Sequence, residues 1–234
     1  MNVFIGWDTN EVDAYQVAES SIRRHASVSV NVIPIRLDDL QRDGVLTRPI
    51  ERRDGKLWCP ISEAPMATEF AISRFAVPFL QHEGLAVFAD CDILCMADIA
   101  ELFALHEPRY AVQVVKHDYH PKTATKMDGQ TQTVYRRKNW SSVILWNLDH
   151  PAHKRLTLDN LNQWPGRDLH AFKWLRDEEI GSLPPTWNIL VDEETWIGNG
   201  KILHFTNGGP WIPNWRGGSW DWLWRQEYYL CKPS

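Results

Sequence analysis

Leu85-Ala86-Val87-Phe88-Ala89-Asp90-Cys91-Asp92-Ile93-Leu94 is the stretch on which the reading of this chain turns. Its first five residues form an unbroken apolar run of strand length, the pattern of a strand buried on both faces. The run stops at Asp90, and a second carboxylate follows at Asp92. In open α/β sheets the ligand crevice lies beyond the C-terminal strand ends, so the two acids stand where a site is expected.

Working outward, Ala67 to Gln81 returns apolar residues at helical spacing through Phe70, Ala71, Phe75 and Phe79, with Pro78 marking a kink or an end. Val3-Phe4-Ile5 is a short strand closed by Gly6, and the segment 10–25 places Ala14, Val17, Ala18 and Ile22 on one helical face. Val30 to Ile35 is a second strand, which completes a βαβ unit and predicts a parallel sheet. The polar stretch 41–65 reads as an extended loop with a turn at Arg52-Arg53-Asp54-Gly55. Downstream, Asp98 with Glu101 three residues on predicts a helix cap. Strands are expected over 110–115, 143–148 and 201–205, and helices over 151–163 and 168–176. No repeat or linker divides the chain, so its 234 residues read as one α/β domain.

Composition narrows the function classes. The hydrophobic share of 44% and charged share of 24% are those of a folded protein. A net charge of -5 argues against a general nucleic-acid binder. No apolar stretch is long enough to span a membrane, and the start has no signal-peptide pattern, so a cytoplasmic location is expected. Cys59, Cys91, Cys95 and Cys231 lack zinc-site spacing and read as reduced, buried thiols. The 13 Trp are unusual, with a cluster at 211, 215, 220, 222 and 224. That cluster fits sugar-stacking platforms, a peripheral membrane contact, or aromatic packing that seals the core.

Two adjacent carboxylates repel each other unless a cation joins them, and hard oxygen ligands suit Mg²⁺ or Mn²⁺ bridging a diphosphate. An Asp-x-Asp pair alone is weak, because chance supplies about one in a chain of this length. Its surroundings carry more. Ser73-Arg74-Phe75-Ala76-Val77-Pro78, the acidic strand end, and Ala97-Asp98-Ile99-Ala100-Glu101-Leu102-Phe103 follow one another in order. Val3-Phe4-Ile5-Gly6-Trp7-Asp8-Thr9-Asn10 and Leu203-His204-Phe205-Thr206-Asn207-Gly208-Gly209-Pro210-Trp211 flank them.

Together these segments resemble glycosyltransferase family 8, the glycogenin and lipopolysaccharide galactosyltransferase group. The resemblance implies a single GT-A-type domain with a mixed, mostly parallel sheet, its nucleotide-binding half about 1–105 and its acceptor half about 106–234. It implies retaining transfer of a sugar, as by a hexosyltransferase, from a nucleotide donor, a UDP-sugar, to a glycan or glycoconjugate acceptor. It also implies Mn²⁺ or Mg²⁺ bound by Asp90, Asp92 and His204. Gly6, Trp7, Asp8, Asn10, Arg74, Asp90, Cys91, Gly208 and Gly209 then fall at nucleotide-binding positions, and Asp168 at a catalytic one.

Each residue also has a plainer reading. Asp8 and Asn10 are good helix N-caps, Gly208 and Gly209 can form a tight turn, and Arg74 can snorkel to the surface. His204 at a strand end can be structural. The chain departs from the family at Gly209-Pro210, where a diphosphate-binding lysine is usual. It departs also at Trp140-Ser141-Ser142-Val143 and at Asp168-Leu169-His170 near the donor sugar. Two further readings are a non-catalytic carbohydrate-binding protein and a sugar nucleotidyltransferase. The latter calls for a basic triphosphate loop that Gly6-Trp7-Asp8-Thr9-Asn10 does not supply.

Overall fold

The computed structural model describes residues 1–117, 137, 139–191, 193 and 198–232. Strands in chain order are β1 (Asn2–Gly6), β2 (Asn31–Ile35), β3 (Glu51–Arg53), β4 (Lys56–Cys59), β5 (Ala64–Pro65), β6 (Leu85–Ala89) and β7 (Ile93–Cys95). They continue as β8 (Val112–Val114), β9 (Val143–Asn147), β10 (Ile180–Ser182), β11 (Ile189–Leu190) and β12 (Ile202–His204). The helices are α1 (Val12–His25), α2 (Leu37–Arg42), α3 (Phe70–Ser73), α4 (Val77–Leu80), α5 (Ile99–Phe103), α6 (Leu158–Gln163), α7 (Gly166–His170) and α8 (Asp221–Cys231).

A six-stranded mixed sheet forms the centre in the order β10-β8-β9-β6-β1-β2. β1 runs parallel to both β2 and β6, so the loops after β1 and β6 emerge on one edge. β9 is antiparallel to β6 and β8. Val87 and Phe88 in β6 are fully buried, as a strand covered on both faces requires. Each such side chain contributes about 1.5–3 kcal/mol relative to an exposed one. α1 buries the predicted Ala14, Val17, Ala18 and Ile22, and the βαβ unit is present.

A second, three-stranded sheet, β11-β12-β7, forms beside the first. Its antiparallel β12–β7 register sets His204 opposite Ile93, next to the acidic pair. Asp98 caps α5, its Oδ1 accepting from the Ala100 amide at 2.9 Å.

Some expectations are corrected, and of the three readings of the tryptophan cluster the structure supports core packing. The stretch 41–65 is not only loop: β3, β4 and β5 form a small antiparallel sheet around the turn at Asp54-Gly55, where both residues have positive φ. Its β3 is wholly exposed and carries charge, so it lacks the apolar alternation that marks a half-buried strand. The helix expected over 67–81 breaks into α3, a 3₁₀ turn at Arg74–Ala76, and α4. Pro78 sits in the first turn of α4, where its missing N–H costs nothing. The tryptophan cluster supplies core on one face of α8. Trp224 is buried against Trp211 and Tyr228 in a cluster with Leu94, Leu203 and Phe205, while Trp222 is exposed. No helix among the described residues is long and apolar enough to cross a membrane.

Candidate metal and nucleotide site

Asp90 leaves the end of β6 with its amide donated to the Ser142 carbonyl at 2.9 Å, which carries the β6–β9 pairing one step past the strand. Asp92 is held by its backbone, its carbonyl accepting from the Phe205 amide at 2.9 Å. One ligand atom each from Asp90, Asp92 and His204 lie within 4.8 Å of one another. His204 Nε2 stands 3.2 Å from Asp92 Oδ1 and 3.9 Å from Asp90 Oδ2.

The tautomer of His204 follows from its other neighbour. Asn188 donates through Nδ2 to Ser142 Oγ at 2.8 Å and to the Asn139 carbonyl at 3.3 Å. Its Oδ1 therefore faces His204 Nδ1 at 3.1 Å and can only accept, so Nδ1 carries the proton. Nε2 is turned toward the carboxylates, the arrangement that orients a metal-ligating histidine. Two carboxylates and one imidazole nitrogen, two of the three buried, could hold a metal ion, and the donor set fits a hard divalent one.

Arg74 is a buried partner of the acidic loop rather than a surface arginine. Its Nη1 lies 2.7 Å from Asp90 Oδ1 and 3.0 Å from the Ser141 carbonyl it donates to. Burial nevertheless outweighs that guanidinium and pushes the Asp90 carboxyl up to about 6. The Ser141–Ser142 segment thus contacts Arg74, Asp90 and Asn188.

The loop after β1 is organised by Asp8. One of its oxygens accepts from the Asn10 amide at 2.8 Å and side chain at 3.1 Å; the other accepts from the Glu69 amide at 2.9 Å. Trp7 carries Arg36 over its ring at 3.5 Å. Gly6 permits close approach, since a Cβ there would lie 2.3 Å from the Phe70 ring. Cys91 is fully buried and donates its thiol to Glu11 Oε2 at 3.1 Å. Glu11 also accepts from Trp211 Nε1 at 3.4 Å, so it joins the acidic loop to the segment after β12. Burial first, then the charge of Asp92, pushes its carboxyl up to about 7.

Gly208 has φ +109 and donates its amide to the Phe205 carbonyl at 2.8 Å, forming a turn. A Cβ on Gly209 would strike the Trp211 ring at 2.1 Å. Asp168 is engaged by Lys173 at 2.7 Å and Arg167 at 3.6 Å and is not among the grouped ligand atoms of Asp90, Asp92 and His204. From the same helix, α7, it is His170 that reaches inward, its Nδ1 2.7 Å from Ser141 Oγ. Asn188, Glu11 and His170 carry no sequence signal of their own, because each acquires its role only through contacts made on folding.

The sheet order and the acidic strand end define an α/β fold of the GT-A glycosyltransferase type. WbbM, a bifunctional glycosyltransferase, superposes with a TM-score of 0.58 at 14% identity over 97% of this chain and 51% of its own. GlyE of Streptococcus pneumoniae TIGR4 gives 0.57 at 14% over 98% of this chain and 61% of its own. The chain thus spans between half and two thirds of those two structures. The galactosyltransferase LgtC, solved with donor and acceptor sugar analogues, gives 0.54 at 13% over 99% of this chain and 95% of its own. No model of a known family matches the sequence. Protein CDI of Arabidopsis thaliana is 44% identical over 231 residues, covering 96% of this chain and 85% of that protein. The chain belongs to the family of Protein CDI.

Proposed function

We propose that this protein is a metal-dependent, retaining glycosyltransferase that moves a hexosyl group from a UDP-sugar to a glycan or glycoconjugate acceptor. The observation that carries the reading is the convergence of Asp90, Asp92 and His204 at the C-terminal edge of a GT-A-type sheet. In this reading the three side chains hold Mn²⁺ or Mg²⁺. When bound, such an ion supplies Lewis-acid stabilisation to a departing diphosphate. Arg74 keeps Asp90 in place and Asn188 keeps His204 turned inward.

Gly6, Trp7, Asp8 and Asn10 line the nucleotide side on the same sheet edge, with Asp8 fixing the loop. Cys91, Gly208 and Gly209 act through the backbone, since their side-chain space is filled. Asp168 contacts the sugar or acceptor once its ion pairs rearrange.

A panel of nucleotide sugars incubated with Mn²⁺, with release of UDP or GDP as the readout, tests this reading. Release from a UDP-sugar that vanishes in Asp92→Ala supports it. Saturable glycan binding with no release from any donor makes the protein a carbohydrate-binding one instead.

A further inference from the structure

Outside the acidic centre, Arg155, α6 with Trp164, and the segment 173–176 after α7 line an open cleft of about 480 Å³, within the size range of small-ligand sites. Arg155, Asn160, Trp164, Lys173, Trp174 and Arg176 line it. It shares no residue with the Asp90–Asp92–His204 cluster. Trp174 is buried and stacks on Trp146 of β9, which makes it a fixed wall; Trp164 is half-buried beside it.

The polar character of the lining is one-sided. Arg155 donates Nε to the Trp174 carbonyl at 2.6 Å and pairs with Glu179. Lys173 pairs with Asp168 at 2.7 Å while standing 5.2 Å over the Trp164 ring. Arg176 reaches Glu178 only loosely, at 3.8 Å, with both side chains exposed. None of the three carboxylates lines the cleft. Asn160 Oδ1 already accepts from the Thr157 amide and hydroxyl, each at 3.0 Å, so the remaining capacity of Asn160 is that of a donor. The wall thus offers cations and N–H donors beside the half-buried indole of Trp164, with Trp174 and Leu175 buried behind them.

The geometry points to a second ligand site here, for a saccharide unit bearing a carboxylate or phosphate. The apolar C–H face of a sugar ring suits the indole surface. Its anionic substituent suits Lys173 and the arginines, whose planar forks match carboxylate and phosphate oxygens. A neutral sugar would leave Arg176 with only its loose contact to Glu178, and a bare anion would leave the exposed part of Trp164 uncovered. This assignment is independent of the function proposed for the acidic centre.

Calorimetric titration of the full chain in EDTA, with glucuronate, glucose 1-phosphate, glucose and inorganic phosphate, tests it. At least one anionic sugar should saturate the protein about tenfold more tightly than glucose or inorganic phosphate, the equivalent of about 1.4 kcal/mol. Which of the two binds separates a carboxylate from a phosphate ligand. Arg176→Ala, on an exposed side chain, and Trp164→Ala should each weaken binding severalfold, and Asp92→Ala should leave it unchanged. The assignment is overturned if neither anionic sugar saturates, or if glucose or inorganic phosphate binds equally well. It is also overturned if Asp92→Ala abolishes binding while Arg176→Ala does not, which would move the ligand to the acidic centre and bear on that reading instead.

Discussion

Asn188 sets the orientation of His204: its Oδ1 lies 3.1 Å from His204 Nδ1, while its own amide donors are spent on Ser142 and Asn139. The carboxamide cannot rotate without losing those bonds, so it holds Nε2 toward Asp90 and Asp92. Loss of such an outer partner typically costs about 10- to 100-fold in metal affinity. Asn188→Leu should therefore weaken Mn²⁺ binding by about that factor in a calorimetric titration, with the far-ultraviolet spectrum retained. Unchanged affinity would mean that His204 needs no external support.

The Arg74–Asp90 pair yields a second expectation. Removing one member of a buried pair costs about 3–5 kcal/mol, because the other is left uncompensated. Here Asp90 already sits at about 6, so without Arg74 it takes up a proton at neutral pH and limits the loss. Arg74→Met should lower stability by about 3 kcal/mol in urea unfolding at pH 7.5, the low end of that range. Saturating Mn²⁺ should recover part of the loss, since an ion that binds only the folded state stabilises it. A loss below about 1 kcal/mol would place the pair among ordinary surface bridges.

Gly6 is required by Phe70, whose ring occupies the place of a Cβ. Gly6→Ala should cost about 1–3 kcal/mol through overpacking, read as a shift in the urea midpoint. Phe70→Leu in the same chain should return a measurable part of it, giving a non-zero coupling in the double-mutant cycle. Strict additivity would show that the clash lies elsewhere.

Three histidines predict acid sensitivity: His153, which is buried, and His117, lowered to about 4, and His170, both half-buried. Burial lowers His153 from the ordinary 6.5 to about 4, and His170 to about 3, with Arg74 adding to the latter shift. Between those values the unfolded chain binds protons that the folded chain refuses. The histidine contribution is thus present above pH 6.5 and is lost as pH falls toward 4, at up to about 1.4 kcal/mol per pH unit for each, while Glu11, raised to about 7, and Asp90, raised to about 6, act in the opposite sense over the same range. Urea unfolding at pH 7.5, 6.5 and 5.5 measures the slope. His153→Gln should lower it by up to about one proton, and an unchanged slope would assign the effect to other groups.

The amino-acid sequence by itself determined the elements whose pattern is local. These are β1, α1, β2 and β6, the Asp98 cap, and the pair Asp90 and Asp92 at a buried strand end. Apolar period, capping chemistry and strand-end acids are properties of neighbouring residues, and they survive without knowledge of the fold. The exposed strand β3 was not legible, since it has no buried face to mark it. The break between α3 and α4 was hidden because the apolar period continues across it.

Only the tertiary structure decided how the candidate centre is completed. His204 joins the aspartates because β12 pairs antiparallel with β7. Asn188, Glu11 and His170 gain their parts through contacts with segments distant in the chain. Arg74 became a buried ion-pair partner, and Asp168 was drawn into pairs with Lys173 and Arg167. Such choices depend on which long-range contacts exclude water, and a sequence records residue types without recording which of them meet.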